Sequence, residues 1–166
     1  MAIEAYMYIK DQVQGVIKGD NTTGGPSYTD WIKVEDVTYS VESPTDLLSG
    51  LPTGRVQHAP LVVSSSTGKH TPLVFEAVAA RHNLPELKIA ILKPNAQGEV
   101  ATALIIELTN ASASKISSSL ETLTSAGGTG IGTTLFDEYQ FTYEKIAITW
   151  PSAGTTASDD WQSAVA

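Results

Sequence analysis

Several residue sets in this 166-residue chain have types that could do chemistry. Ser66-Thr67-Gly68-Lys69 and Ser112-Ala113-Ser114-Lys115 each place a hydroxyl three positions before an amine, the spacing of some Ser/Lys acyl-transfer enzymes. That chemistry needs both groups on one helical turn, where the amine can take the hydroxyl proton. Gly68 makes the first copy a turn. The second lies in a strand-like stretch, where positions three apart face opposite ways. Neither is expected to be catalytic. His58, His70 and His82 could be imagined as a metal set, but no compact pair such as H-E-x-x-H brings two imidazoles to one face. Structural or solvated histidines are expected, with His82 near the last carbonyls of a helix.

Two further sets fail on spacing. Gly127, Gly128, Gly130 and Gly132 lack the glycine pattern and the G-K-[ST] ending of a phosphate cradle, so they read as a surface loop. Asp159 and Asp160 are adjacent, whereas the paired carboxylates of glycosidases come from separate segments. Asn21-Thr22-Thr23 and Asn110-Ala111-Ser112 match the glycosylation tripeptide only formally, because no secretory leader precedes them. No catalytic, cofactor or metal site is expected.

Composition narrows the partners. Eighteen acidic against ten basic residues give a formal charge of −8, and there is no Lys/Arg cluster. Such a chain should repel nucleic acid and anionic lipid. It has no cysteine, which excludes disulfides, thiolate metal sites and a Cys nucleophile. No apolar run is long enough to span a bilayer. Met1-Ala2-Ile3-Glu4 opens without a basic n-region or an apolar h-region, so no cleaved signal peptide is expected and the cytoplasm is the default compartment.

The elements that would position these residues are mostly strands. Ile3, Ala5, Met7 and Ile9 alternate with Glu4, Tyr6, Tyr8 and Lys10. Trp31–Val34 alternate too, but past Glu35-Asp36 the apolar parity changes to Val37, Tyr39 and Val41. Tyr139, Phe141 and Tyr143 likewise give way to Ile146, Ile148 and Trp150. A parity change means a bulge or a crossing between sheets. Further strands are expected at Leu61–Ser65, Leu87–Leu92, Ala103–Leu108 and Ser114–Leu120.

Thr71-Pro72 should start the single helix, with Thr71 able to cap. Leu73, Ala77 and Ala80 line one face, and Asn83 and Pro85 end it. The fold class is all-β: a closed or strongly curved β-barrel of two sheets with one short flanking α-helix, in a single domain spanning residues 1–166. Gly19–Tyr28 and Ser125–Thr134 read as loops, the second of them flexible. Glu42–His58 is a long excursion punctuated by Pro44, Gly50, Pro52 and Gly54, yet it carries Leu47, Leu48 and Leu51. Such a segment cannot easily make three leucines its own core, so it either folds back over its own barrel or docks on a neighbour, with Leu47, Leu48, Leu51 and Pro52 the candidates for a subunit interface.

The order of these features resembles the Hcp (haemolysin-coregulated protein) family of type VI secretion. Tyr8-Ile9-Lys10 with Gln14-Gly15 is similar to the family's opening hairpin, and Gly54–Leu61 to its entry into a central strand. Thr71-Pro72-Leu73 with Ala77 is similar to its helix, and Leu104–Leu108 with Thr109-Asn110-Ala111 and Ile116 to its next hairpin. The ending carries most of the likeness: Glu138, Phe141, Tyr143, Lys145-Ile146, Thr149-Trp150, Gly154 and Asp159-Asp160-Trp161. Ser64-Ser65-Ser66 and Arg81-His82-Asn83 depart from it, the latter replacing the family's usual glycine after the helix.

The resemblance implies a structural protein rather than an enzyme. Its homo-hexamer rings would stack into a tube inside a contractile sheath, beneath a VgrG-like spike, with small effector proteins in the lumen. It would be exported by the apparatus, and no fused toxin is expected after Trp161. The alternatives are a phage tail tube protein and a carbohydrate-binding β-sandwich using Tyr28, Trp31 and Tyr39 as a sugar platform.

Overall fold

Two-residue alternation does become strand pairing along most of the chain. The computed structural model describes residues 3–124, 127–128 and 130–160. Strands β1 (Glu4–Asp11) and β2 (Gly15–Ile17) form the opening hairpin. They are followed by β3 (Ile32–Thr38), the short β4 (Val41–Glu42) and β5 (Gln57–His58), and β6 (Leu61–Ser66). Helix α1 (Thr71–Ala79) precedes β7 (Leu84–Pro94), β8 (Val100–Thr124), β9 (Gly130–Thr142), β10 (Lys145–Trp150) and β11 (Thr155–Asp160).

Hydrogen-bonded neighbours run in the order β8-β7-β1-β3-β6-β9, and β9 pairs back onto β8. The ring therefore closes, with β10 and β11 extending it from β8 and β2 attached to β1. It is not a smooth barrel. The pairing of β3 with β6 is bulged between Val34 and Asp36, where the alternation changes phase. Between Thr142 and Lys145 the strand that began as β9 breaks and continues as β10, the second place where parity changes.

The two strands expected at Ala103–Leu108 and Ser114–Leu120 are one strand, β8, of 25 residues. The hairpin expected at Thr109–Ala111 is thus a corner. Asn110 takes a left-handed φ of 49°, which asparagine tolerates better than most residues, and its amide donates to Glu144 Oε2 at 2.7 Å. The chain bends there without reversing. Before the corner β8 lies between β7 and β10; beyond it β8 pairs with β9. One strand therefore serves both sides of the barrel.

The core holds Met7, Ile9, Ile32, Leu61, Val63, Leu87, Ile89, Ile106, Leu108, Tyr139 and Phe141, all at most 1% exposed. Ile3, expected to share the Met7 face, is instead 66% exposed, because the β1 ladder starts only at Glu4. The opposite face of β1 is covered as well. There Tyr6 stacks on Tyr28 at 5.4 Å, and Tyr28 meets Trp31 edge-on at 4.9 Å. The polar segment 19–31 thus folds down as an aromatic cover.

Gly19 makes that fold-down possible. A Cβ there would lie 2.6 Å from the Trp31 carbonyl oxygen and 2.7 Å from Ile32 Cα, both backbone atoms that cannot rotate away. Gly19→Ala is expected to cost about 2 kcal/mol, read as a lowered denaturation midpoint in urea.

Helix α1 buries Val74 and Ala77. Its N-terminus differs from expectation. Thr71 is the first helical residue, no side chain caps the end, and the Thr71 hydroxyl accepts from Gly68 N–H at 3.1 Å. At the other end Arg81 N–H donates to the Val78 carbonyl at 3.3 Å and His82 N–H to that of Ala77 at 3.0 Å. This is the paired closure that normally needs glycine in the left-handed position. Arg81 occupies it with φ 56°. Arg81→Gly is therefore expected to stabilise the protein by about 0.5–1 kcal/mol, a rise of roughly 1–4 °C in Tm by calorimetry.

Candidate functional site

Residues 42–58 leave the barrel as a finger. Val41 pairs with His58 and Glu42 with Gln57, and a single bridge joins Thr45 to Pro52. The tip is held by polar bonds rather than by packing. Asp46 accepts from Leu48 N–H at 3.1 Å and from the Ser49 hydroxyl at 2.8 Å, while Asp46 N–H donates to the Leu51 carbonyl at 2.8 Å. Those bonds fix the turn and leave its apolar side chains outside. Leu47 is 98%, Leu48 97% and Leu51 64% exposed, and Pro52 is exposed. The finger does not fold back on its own barrel.

A second extension leaves the opposite end. Leu61 faces Phe141 across the ladder and Ser66 faces Phe136, so the finger springs from the Leu61 end of β6. Past the Ser66 end, β8 and β9 run on as a two-stranded arm, with Leu120 opposite Leu135. Along β6 the two ends are roughly 17 Å apart. Of the segment expected to be a flexible loop at Ser125–Thr134, Gly127 and Gly128 do form a turn, whereas residues 130–134 already belong to strand β9. The parts of that expectation at Ser125, Ala126 and Thr129, and the family match at Trp161, lie outside the described residues.

The chemically suggestive residues do not converge. The Ser66 hydroxyl donates to Glu35 at 2.9 Å while Lys69 sits 3.9 Å from Asp20. Ser112 and Lys115 lie on β8 opposite Thr142 and Gln140, with a bulge between them. Each histidine has its own partners. His82 Nδ1 meets Asp11 at 2.9 Å, and His70 Nε2 meets the Ser65 hydroxyl at 3.2 Å. His58 Nε2 donates to Asp159 at 2.6 Å, and its Nδ1 lies 2.9 Å from the Tyr143 hydroxyl. That last set ties the base of the finger to the corner between β9 and β10 and to β11.

Tyr28 and Trp31 belong to the outer aromatic cover, whereas Tyr39 packs against the main core, so the three form no common platform for a sugar. The Asn21 side chain donates to the carbonyls of Thr23 and Tyr28, at 2.9 and 2.7 Å, and is nearly buried. Among the described residues no helix is long and apolar enough to cross a membrane.

Asp137 is 0% exposed on the inward side of β9 and accepts four side-chain hydrogen bonds. Its Oδ1 accepts from Thr67 and Ser118, both at 2.7 Å, and its Oδ2 from Thr71 at 2.5 Å and Tyr139 at 2.6 Å. Burial alone would raise its pKa, but the hydroxyls of Thr71, Tyr139, Ser118 and Thr67 outweigh it and hold the carboxyl below its usual range. Burial, followed by the bond to Asp137, pushes the Tyr139 phenol well above its ordinary value. The node joins the start of α1 to β8 and β9 at the root of the arm. One signal for it lay in the sequence, since Asp137 has the parity of Tyr139 and Phe141 and so had to face inward.

Comparison with known proteins agrees with this architecture. Residues 6–150 match the family described as Type VI secretion system effector, Hcp. The Major exported protein of Pseudomonas aeruginosa is 30% identical over 173 aligned positions, covering 100% of this chain and 99% of that protein. A crystal structure of an Hcp protein superposes with a TM-score of 0.84 at 24% identity, covering 98% of this chain and 100% of that one. A secreted Hcp protein from Pseudomonas aeruginosa gives a TM-score of 0.73 at 23% identity, with 98% and 100% covered. The family is not one of enzymes. A family match over most of the chain, together with the relative that spans it, establishes that the chain belongs to the Hcp family of the type VI secretion system.

Proposed function

We propose that the chain is the ring-forming subunit of the type VI inner tube, closing as a homo-hexamer whose rings stack inside the contractile sheath beneath a VgrG-like spike. Small effector proteins would ride in the lumen, and the apparatus would export the subunit without a cleaved leader. The work is mechanical and associative. The observation that carries the reading is the finger. Leu47, Leu48 and Leu51 are held in water by a turn built from Asp46 and Ser49, and an isolated chain has nothing to gain from that arrangement. A rigid apolar projection at one end of a barrel suits a head-to-tail contact, which closes into a ring when its rotation allows. Light scattering tests this. A mass six times the 17.6 kDa of one chain is expected, and a monomer that persists at high concentration would refute it.

A further inference from the structure

We infer that His70 and Asp20 form a proton-operated clasp. In mild acid the imidazole takes up a proton, and its Nδ1–H donates to the Asp20 carboxylate across the gap left by Gly68. That bond ties the aromatic cover to the start of α1. His70 stands immediately before α1 and is 3% exposed. Its Nε2 lies 3.2 Å from the Ser65 hydroxyl, whereas its Nδ1 is buried with no hydrogen-bond partner among the described residues. A buried polar atom left unpaired costs stability, so an arrangement that keeps one calls for a reason. The ring and the carboxylate face a common point. A Cβ on Gly68 would lie 3.2 Å from His70 Nδ1 and 2.5 Å from Asp20 Oδ2. Both residues line an open cavity of about 260 Å³, together with Lys33, Ser66, Thr67 and Gly68.

In the neutral ring the Ser65 hydroxyl turns to the Ser66 carbonyl at 3.4 Å, so Nε2 carries the proton and Nδ1 is a bare acceptor. A carboxylate gains nothing by approaching it. Asp20 accordingly accepts from Lys69 N–H at 3.1 Å, with Lys69 Nζ 3.9 Å away. Protonation turns Nδ1 into a donor. The Asp20 side chain is 62% exposed and so can rotate, and a carboxylate has lone pairs enough to keep the Lys69 bond while taking a new one. On β9, Asp137 is already occupied by four hydroxyls, and the Tyr139 ring meets the imidazole edge-on at 6.1 Å with its phenol neutral. Lys33 on β3 lines the cavity, and Glu35 is engaged by Ser66. Asp20 is therefore the carboxylate left to answer the new donor. Burial holds the imidazole below its ordinary value of 6.5, with Asp137 and Asp20 opposing, so the clasp is open at neutral pH. Its effect is acid tolerance. The further the folded value lies below 6.5, the more stability is lost as pH falls through that range, and the Asp20 bond limits the loss by drawing the value back up.

A pH titration of the full chain, carrying histidine labelled with 13C and 15N, tests the clasp by NMR. The His70 ring is recognised by its cross-peaks to the Tyr139 ring. Two variants separate contact from charge. Asp20→Asn removes the charge. Gly68→Ala puts a Cβ against Asp20 Oδ2 and displaces that exposed side chain while keeping its charge on the chain. The expected result is a neutral ring protonated on Nε2 at about pH 8, and a His70 titration about half a pH unit or more lower in both variants than in the parent. Urea midpoints of both variants should also fall more steeply than the parent's as pH drops below 6.5. A shift in Asp20→Asn alone would show a charge acting without contact and would overturn the clasp. Equal titration in all three proteins would overturn it too, as would an Nδ1–H already present at about pH 8.

Discussion

Asp137→Ala is expected to destabilise the protein by about 3–5 kcal/mol, the largest effect of any single substitution considered. The carboxylate is wholly buried and accepts four hydroxyl hydrogen bonds that arrive from the turn before α1, from α1 itself, from β8 and from β9. Removing it strands the buried Tyr139 hydroxyl and takes the shared acceptor from the partly accessible Thr67, Thr71 and Ser118, and bonds to a charged acceptor are worth more than neutral ones. Asp137→Asn keeps one acceptor oxygen but turns an N–H pair toward hydroxyls that already donate, so a loss of about 2 kcal/mol is expected. The same geometry sets a pH dependence. A carboxyl whose folded pKa lies below its unfolded value of 3.8 adds stability that is fully present above that value and is lost as pH falls through the folded pKa. Asp11 adds to the same limb. Burial would raise its pKa, but the Val13 N–H, the Gln14 amide, His82 and the Gln14 N–H together hold it down. Burial holds the His70 imidazole below its ordinary value of 6.5, so the unfolded chain takes up that proton first. Urea midpoints should therefore begin to decline as pH falls through about 6.5 and fall further below about pH 4, with the acidic limb shallower in Asp137→Asn.

Leu47→Asp and Leu48→Asp are expected to act on association and not on folding. Each leucine loses roughly 2 kcal/mol of burial in a contact, so each variant should associate about thirtyfold or more weakly in concentration-dependent light scattering. Thermal unfolding of the dissociated chain should stay within about 0.5 kcal/mol of the parent, because neither side chain touches the barrel. Unchanged assembly in both variants would remove the finger from the interface.

Most of this fold was legible because alternation has a strict period. The phase changes at Glu35-Asp36 and at Tyr143–Ile146 mark a bulge and a corner, and both fall where pairing is interrupted. The unity of β8 was not legible. Thr109-Asn110 has turn chemistry, and only the partners on either side decide whether an asparagine in the left-handed region reverses the chain or merely bends it. Of the glycines, Gly127 and Gly128 are in the expected turn, but Gly130 and Gly132 lie in β9, since pairing of Thr122 with Thr133 holds a ribbon that composition alone reads as a loop. The leucines of the finger were legible as surplus apolar residues. The open groove lined by Pro72, Phe75 and Ile116 was not, because a helix and a strand form it and no local pattern encodes their juxtaposition. Asp137 was half legible. Its parity put it inside, but its four hydroxyl partners are spread from Thr67 to Tyr139.

Negative-stain electron microscopy of the purified protein tests the central claim most directly. Six-fold rings with an open centre, some stacked end to end, are the predicted result. A uniform field of compact particles of single-chain size, unchanged at high protein concentration, would contradict the claim that this barrel is a tube subunit.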